Sequence, residues 1–216
     1  MIVTELSRGT KLYLLVGGRG TRLSSVTNGK AKPLVNINNK NFIDHVLENL
    51  SGFDITLVCS DLNYNQFVEY MMYGVSVINE GSPSGTGGFL SKVDLPESFY
   101  VMNGDTFYSG ELNLDCDEST IFVAEEDVTS DVGYIHGENG KVKYFVEKNP
   151  NASGKKLVSL GIYKLFKKDL DVPNKLPISM EYDILPKMDM SYKILKTTKF
   201  DIGTPERLQT FKNWLC

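Results

Sequence analysis

The chain has 216 residues, of which 41% are hydrophobic and 23% are charged, and its formal net charge is −4. This composition is that of a globular protein, and the negative charge disfavours nucleic acid as a partner. The three cysteines are widely spaced, so neither a CxxC zinc site nor a disulfide framework is indicated. No uncharged apolar run reaches the roughly 18 residues of a membrane span, and residues 1–8 lack the order of a signal peptide. We therefore expect a cytoplasmic protein with no membrane contact.

Strand and helix patterns alternate along the first half of the chain. Short apolar runs predict strands at residues 11–16, 55–59, 75–78 and 99–102, and apolar residues at helical spacing predict helices at 41–50 and 64–73. This β-α-β-α-β order predicts a parallel sheet with helices on both of its faces.

The second half of the chain is richer in strands. Strands are predicted at residues 120–124, 133–135, 141–146 and 157–163, with a hairpin turn at Asn139-Gly140, and helices at 180–188 and 204–215. No Ser/Pro-rich linker separates the two halves. The pattern predicts a single domain over residues 1–216, an α/β fold with a Rossmann-like, mixed, mainly parallel sheet and helices on both faces.

A glycine-rich, basic segment follows the first predicted strand. It reads Gly17-Gly18-Arg19-Gly20-Thr21-Arg22-Leu23, and no Asp or Glu occurs between residues 6 and 43. The segment does not match a Walker A loop, and it departs from the dinucleotide-binding pattern GxGxxG at its last position. A tight strand-to-helix turn is the simplest alternative. The nearby Lys30 and Lys32 favour a site for a small anion.

These residue types suit phosphate binding. Glycines allow consecutive backbone N–H groups to approach an anion closely, Arg22 can donate to two phosphate oxygens, and Lys32 supplies a compact positive charge. A second Gly-rich loop, residues 81–88, follows the third predicted strand. Because ligands of α/β sheets bind beyond the carboxyl ends of the strands, we expect the two loops to hold the two ends of a nucleotide. The alternatives are solvated lysines and a flexible surface connection.

Two acidic residues are candidate metal ligands. Asp105 follows the strand at 99–102, and Asp201 precedes the last predicted helix. An Asx turn and an acid at a helix N-terminus are the ordinary alternatives. Since the chain has only two histidines, a bound metal would need carboxylate ligands, which favours Mg²⁺ bridging phosphate oxygens.

Several short motifs occur over residues 11–210 in the order of a known family. They are residues 17–23, Lys32-Pro33-Leu34, Gly85-Thr86-Gly87-Gly88, Asn103-Gly104-Asp105, Gly133-Tyr134, Glu147-Lys148, Gly161-Ile162-Tyr163 and residues 201–206. The chain resembles the sugar-phosphate nucleotidyltransferases, in particular the D-glycero-D-manno-heptose 1-phosphate and mannose 1-phosphate guanylyltransferases. The resemblance implies a magnesium-dependent enzyme that joins a nucleoside triphosphate to a sugar 1-phosphate, giving an NDP-sugar and pyrophosphate.

The resemblance also implies a role for each matching residue. The nucleotide-binding residues would be Val16, Gly17, Gly18, Gly20, Thr21, Ser84, Gly85, Thr86, Asn103 and Gly104. The sugar phosphate would be bound by Gly133, Tyr134, Glu147, Lys148 and Ser159. Arg22 and Lys32 would be catalytic, and Asp105 and Asp201 would hold Mg²⁺. The N-terminal half would thus bind the nucleotide and the C-terminal half the sugar phosphate.

The resemblance favours GTP as the nucleotide and a heptose or mannose 1-phosphate as the acceptor. Ser159 stands where the family often has Asn, which implies an altered sugar pocket, and Ser84 stands where Leu is usual. A cytidylyl- or other nucleotidyltransferase with a different phosphorylated acceptor is an alternative, as is a non-catalytic regulatory subunit that binds nucleotide sugars. The oligomeric state stays open, with a homodimer as one option.

Overall fold

The structure, a computed structural model, describes residues 9–18 and 23–215. Its strands are β1 (Thr10–Leu15), β2 (Asn36–Ile37), β3 (Lys40–Asn41), β4 (Phe53–Cys59), β5 (Ser76–Asn79), β6 (Ser98–Asn103), β7 (Thr106–Ser109), β8 (Thr120–Asp127), β9 (Tyr134–Glu138), β10 (Lys141–Val146), β11 (Lys155–Phe166), β12 (Ser191–Ile194) and β13 (Thr198–Asp201). The α-helices are α1 (Ser24–Thr27), α2 (Phe42–Asn49), α3 (Tyr64–Phe67) and α4 (Pro205–Leu215). Within these ranges, no helix is long and apolar enough to span a bilayer.

A nine-stranded sheet, in the order β5-β4-β1-β6-β11-β8-β12-β10-β9, forms the centre of the molecule. Strands β5, β4, β1 and β6 are mutually parallel, as the alternating pattern of the first half predicts. The long strand β11 then pairs antiparallel with both β6 and β8. The prediction of a mixed sheet is confirmed: β11 runs antiparallel to its neighbours and separates the four parallel strands from a second parallel pair, β8 and β12.

The two faces of the sheet carry different covers. Alternate residues of β6 enter opposite cores: Tyr100 and Met102 pack with the buried residues of α2, α3 and α4, whereas Phe99 and Val101 pack on the other side. That second face is covered by a 3₁₀ turn at Gly88–Ser91 and a π-helical turn at Met180–Ile184. The prediction of helices on both faces is therefore not confirmed, since the buried residues of α2, α3 and α4 all lie on one face.

Two predicted helices are shorter than their apolar spacing suggests. The segment 64–73 is α-helical only at Tyr64–Phe67 and continues as a 3₁₀ helix to Tyr73, where Gly74 adopts a left-handed conformation at φ 78°. The segment 180–188 begins with the π-helical turn and ends in a 3₁₀ turn at Leu185–Lys187. Pro186 lies at the start of that turn, and its missing N–H prevents a regular helix from continuing.

The predicted hairpin turn is present, and a local cap begins helix α2. Asn139 and Gly140 both have positive φ, at 52° and 78°, as a tight hairpin between β9 and β10 requires. At α2, Asn41 and Asp44 form a capping box, in which the backbone N–H of Asn41 donates to the Asp44 carboxylate at 2.8 Å. Both features depend on residues close in sequence, and the hairpin turn is the one that the sequence analysis predicts.

Candidate active site

A cavity of about 520 Å³ opens at the carboxyl ends of β1, β5 and β6 and extends under β11 and β13. Most of the predicted site residues line it, although they come from distant parts of the chain. These are Val16, Gly17, Gly18, Lys32, Gly85, Thr86, Asn103, Asp105, Gly133, Glu147, Lys148, Ser159 and Asp201. Gly20, Thr21 and Arg22, the other predicted members of the first glycine loop, lie outside the described residues.

The start of the first glycine loop is fixed against the end of β4. The backbone N–H of Val16 donates to the carbonyl of Val58 at 3.0 Å, and the Asn63 side-chain amide donates to the carbonyl of Val16 at 2.9 Å. A Cβ atom on Gly17 would lie 3.3 Å from the backbone nitrogen of Ser60. The loop therefore leaves the sheet at a fixed position, with Gly17 and Gly18 at the wall of the cavity.

The second glycine loop is held by residues that lie far along the chain. Gly85 has φ 83°, and a Cβ atom there would overlap the carbonyl oxygen of Ile178. The N–H of Gly87 donates to this carbonyl at 2.9 Å, and the N–H of Ile178 donates to the carbonyl of Ser84 at 2.8 Å. Glycine is required at position 85 because two backbone segments meet there.

Three predicted contact residues do not line the cavity. Ser84 is 1% exposed, and its hydroxyl donates to the buried Glu80 carboxylate. Gly104 lies beneath the first loop, where a Cβ atom would come within 2.5 Å of Val16 Cγ1. Tyr134 is buried in a small cluster with Val158. All three are packed within the protein next to residues that line the cavity.

Lys32 and Asp105 form an ion pair at the cavity wall. Lys32 opens the 3₁₀ turn Lys32–Leu34, in which Pro33 and Leu34 are buried and fix the direction of the backbone. Asp105 occupies the tight connection between β6 and β7, and its second carboxylate oxygen accepts from the Thr106 hydroxyl at 3.2 Å. The sequence-distant cation and acid are thus brought into contact.

Asp201 lies beside Asp105 because β13 pairs antiparallel with β7. In this register Asp201 is opposite Thr106, and the N–H of Ile202 donates to the carbonyl of Asp105 at 3.1 Å. The Asp201 carboxylate accepts from the Gly203 N–H and from the Arg207 guanidinium, both at 3.0 Å. The two predicted metal ligands are therefore neighbours, and each carboxylate is paired with a cationic side chain.

The carboxylate pair has the donor set that Mg²⁺ uses. Within the described residues, no group of three or more Asp, Glu, His or Cys side chains converges on a metal position. Magnesium is commonly held by one or two carboxylates, with phosphate and water oxygens completing its shell. Asp105 and Asp201 therefore fit a magnesium ion that arrives with a phosphate ligand.

A second ion pair, between Glu147 and Lys148, lines the cavity. Glu147 is largely buried, and its carboxylate lies 3.4 Å from the Lys148 ammonium. Burial, followed by the negative charge of Glu181, raises the pKa of Glu147, and Lys148 opposes that shift. A Cβ atom on Gly133 would overlap Glu147 Oε2 and lie 2.7 Å from Phe145 Cζ. A side chain at position 133 would therefore displace this carboxylate or the Phe145 ring.

A bulge in β11 supplies further polar groups. The pairing register with β8 shifts between Ser159 and Ile162, and Gly161 in the bulge has φ 70°. The bulge places the Ser159 hydroxyl 3.5 Å from the Tyr163 hydroxyl. The N–H of Gly161 donates to the Ser159 hydroxyl at 3.1 Å. Bulges redirect side chains in this way beside ligand sites.

Residues 11–213 of the sequence match the family described as Nucleotidyl transferase. The chain belongs to the nucleotidyl transferase family. This membership agrees with the shared cavity, in which glycine loops, cationic side chains and paired carboxylates converge.

Individual proteins of known function are similar to this chain in sequence. Mannose-1-phosphate guanylyltransferase catalytic subunit beta of Drosophila melanogaster is 32% identical, with 95% of this chain and 62% of that protein aligned. The chain thus spans less than two thirds of that relative's length. D-glycero-alpha-D-manno-heptose 1-phosphate guanylyltransferase of Campylobacter jejuni is 30% identical, with 89% of this chain and 94% of that protein aligned.

Solved structures of HddC from Yersinia pseudotuberculosis have a similar fold. One superposes with a TM-score of 0.80 at 28% identity, covering 96% of this chain and all of that one. The structure of HddC complexed with GMP-PN gives a TM-score of 0.77 at 27% identity, with the same coverage.

The cavity also contains residues to which the sequence analysis assigned no role. They are Glu80, Asp131, Tyr163, Glu181, Lys199 and Arg207. Glu80 directly follows β5, so the rule that places Asp105 at the edge of the sheet would have placed it there too. Arg207 bridges Asp201 and Asp131, the latter at 2.8 Å. A partner 76 positions away leaves no local pattern in the sequence.

Proposed function

We propose that the chain transfers a guanylyl group from GTP to the phosphate of a sugar 1-phosphate, giving an NDP-sugar and pyrophosphate. The observation that carries this proposal is the convergence of Lys32, Asp105 and Asp201 in one cavity with both glycine loops. Such a cavity offers positive charge and backbone N–H groups to a triphosphate at one side. It offers a separate polar wall, with Glu147 and Lys148, to the acceptor.

The reaction needs positioning and charge neutralisation. An oxygen of the sugar phosphate attacks the α-phosphorus of GTP, and the bond from that phosphorus to the bridging oxygen breaks. The bridging oxygen leaves with the electron pair as part of pyrophosphate. A phosphate monoester has a second pKa of about 6, so the attacking group is already ionised near neutral pH and needs no general base. Holding the two anions in line supplies much of the rate enhancement.

The chain's own residues divide these tasks between the two walls. Lys32 neutralises charge that develops at the reacting phosphate, and Arg22, outside the described residues, holds the leaving pyrophosphate. Lys148 binds the acceptor phosphate from the opposite wall. When bound at Asp105 and Asp201, Mg²⁺ would neutralise phosphate oxygens and help to align them. Asp105 pairs with Lys32 and Asp201 with Arg207 in the structure, so metal binding would replace these ion pairs.

GTP is the nucleotide that the cavity and the relatives favour. Glu80 follows β5 and lines the cavity near Pro83 and Gly85. A carboxylate there can accept a hydrogen bond from the 2-amino group of guanine. Adenine has no donor at this position of the base. Burial raises the pKa of Glu80, while its bonds from Ser84 and the charge of Lys92 oppose the shift. The named relatives are guanylyltransferases, and HddC is found complexed with GMP-PN.

The acceptor is proposed to be a manno-configured sugar 1-phosphate, of the heptose or mannose type. This choice is supported by the two guanylyltransferase relatives, which are named for mannose 1-phosphate and heptose 1-phosphate. It is also supported by the hydroxyl and carboxylate groups of the acceptor wall, which suit a ring with several hydroxyls.

A substrate matrix tests the proposal. The purified chain is incubated with Mg²⁺, each of the four nucleoside triphosphates, and a panel of mannose, heptose and glucose 1-phosphates and phosphocholine. Pyrophosphate release is measured, and the products are identified by mass spectrometry. The proposal predicts release with GTP and a manno-configured acceptor. Release only with CTP and phosphocholine would replace it with the cytidylyltransferase alternative, and no release from any pair would favour a regulatory subunit.

A further inference from the structure

Lys199 faces the cavity because of the way strand β13 is anchored. Side chains alternate along a strand, so Lys199 and Asp201 lie on one side of β13 and Phe200 on the other. The Phe200 ring packs against helix α4, with its centroid 5.7 Å from that of Phe211 and 4.9 Å from that of Trp214. Lys199 and Asp201 both line the cavity. The apolar contacts of Phe200 therefore direct its two charged neighbours into the site.

The Lys199 ammonium lies against the bulge of β11. It donates to the carbonyl oxygen of Ser159 at 3.3 Å, and the residue is half-buried. A carbonyl is a neutral partner, so this bond holds the ammonium in place without cancelling its charge. An ammonium group has three N–H donors, which leaves two of them for a ligand.

The other cationic side chains along the described wall of the cavity already have carboxylate partners. Their ion pairs are Lys32 with Asp105, Lys148 with Glu147, and Arg207 with both Asp131 and Asp201. Among the residues that the structure describes, no carboxylate lies within ion-pair distance of Lys199. In that part of the cavity, Lys199 is therefore the cation whose charge is left for a ligand.

A phosphate group in this cavity needs such a cation beside it. Carboxylates are numerous along the described wall, and they are Glu80, Asp105, Asp131, Glu147, Glu181 and Asp201. Each of them repels an incoming anion, and the repulsion is strong where water is partly excluded. Lys148 opposes it only in part, because its side chain is 58% exposed and its charge lies 3.4 Å from that of Glu147.

We propose that Lys199 binds the phosphate group of the acceptor beside Ser159, in addition to Lys148. The inference rests on the proposed function and deepens it, since it concerns the acceptor phosphate and not the rest of the acceptor. A phosphate monoester carries close to two negative charges near neutral pH, because its second pKa is about 6. A held ammonium with free donors forms charge-assisted hydrogen bonds to such oxygens. Because Lys199 and Asp201 share one side of β13, this contact brings the attacking phosphate next to the metal-binding carboxylates.

Two matched variants test this assignment. K199Q removes the charge and keeps a donor for the Ser159 carbonyl. K196Q removes the same charge from an exposed lysine three positions earlier, which does not line the cavity. Thermal unfolding establishes that both variants are folded. Calorimetry with Mg²⁺ then measures the affinity for mannose 1-phosphate with a non-hydrolysable GTP analogue, and for phosphocholine with the matching CTP analogue.

We expect K199Q to weaken binding of the acceptor about 10- to 100-fold, with the affinity for the nucleotide analogue changed by less than about threefold. K196Q should leave both affinities within about twofold of the wild type. A methyl ester of the acceptor phosphate extends the test, because it carries one negative charge instead of about two. Esterification should weaken binding to the wild type by a larger factor than binding to K199Q.

Three results would overturn the inference. The first is an equal effect of esterification in the wild type and K199Q, which a purely structural bond to Ser159 predicts. The second is the same loss of acceptor affinity in K196Q as in K199Q, which would reflect overall charge. The third is a loss of affinity for the nucleotide analogue as large as that for the acceptor, which would assign Lys199 to the nucleotide.

Binding and turnover separate this inference from the proposed reaction. If the wild type binds mannose 1-phosphate more tightly than K199Q does, but releases no pyrophosphate, the proposed reaction fails while the assignment of Lys199 stands. If turnover is normal and K199Q binds the acceptor as the wild type does, the reaction stands and the assignment fails. Failure of the wild type to bind either phosphate would overturn both.

Discussion

Replacement of Lys32 by alanine should remove the charge that stabilises the reacting phosphates. The Lys32 side chain is 17% exposed and pairs with Asp105, whose side chain is 33% exposed. Lys32 is therefore a largely buried cation that is held in place before substrate binds. Loss of one such group typically lowers turnover about 10²- to 10³-fold. We expect that loss in kcat at saturating GTP, acceptor and Mg²⁺, measured by pyrophosphate release.

The same substitution has a small expected effect on folding. Removing Lys32 leaves the Asp105 charge unpaired, but solvent reaches this carboxylate, so the free energy of unfolding should fall by about 1 kcal/mol. Urea unfolding separates this effect from the kinetic one. Lys30→Ala is the matched control, because Lys30 is exposed two positions away and does not line the cavity. If Lys32→Ala retains more than about a tenth of wild-type turnover, the role assigned to this residue is refuted.

Three further substitutions probe the walls of the cavity. Gly133→Ala should displace the Glu147 carboxylate and so raise KM for the acceptor but not for GTP. Overpacking should also lower the free energy of unfolding, measured in urea, by about 1–3 kcal/mol. An unchanged KM for the acceptor would contradict this prediction. Asp201→Asn keeps the bond from Gly203 but should raise the Mg²⁺ concentration for half-maximal turnover about 10-fold; the same Mg²⁺ requirement as wild type would count against Asp201 as a ligand. Burial raises the pKa of Glu147 in the folded state, so its ionisation opposes folding. Glu147→Gln should therefore gain stability relative to wild type as pH rises above the ordinary pKa of a glutamate. A pH-independent difference in unfolding free energy would show that burial does not disfavour the charge.

The parts of the fold that the sequence predicts depend on local patterns. The buried runs at β1, β4 and β6 are strands because their residues alternate between two cores, and the positive φ values of Asn139 and Gly140 follow from their residue types. The placement of Asp105 at the cavity follows from the same local logic, since it comes directly after a buried strand.

The missed features depend on contacts between distant residues. β7 and β13 are each four residues long and about 90 positions apart, so no periodic signal identifies their pairing, although that pairing brings Asp201 to Asp105. On the second face, Pro186 prevents the segment 180–188 from continuing as a regular helix after the π-helical turn.

Ser84 is a predicted contact residue whose side chain does not line the cavity. The motif places it in the second glycine loop, but Glu80, four positions earlier, accepts its hydroxyl hydrogen and turns it into the protein. Neither residue alone indicates this bond. Glu80 itself lines the cavity, although no motif singled it out.

A crystal structure with a non-hydrolysable GTP analogue, Mg²⁺ and mannose 1-phosphate would test the central claim most directly. The account predicts that both ligands occupy the one cavity, with the α-phosphate between Lys32 and the acceptor phosphate, and with Asp105 and Asp201 bound to the metal in place of their cationic partners. Ligand density outside this cavity, or both ion pairs intact beside a bound triphosphate, would contradict it.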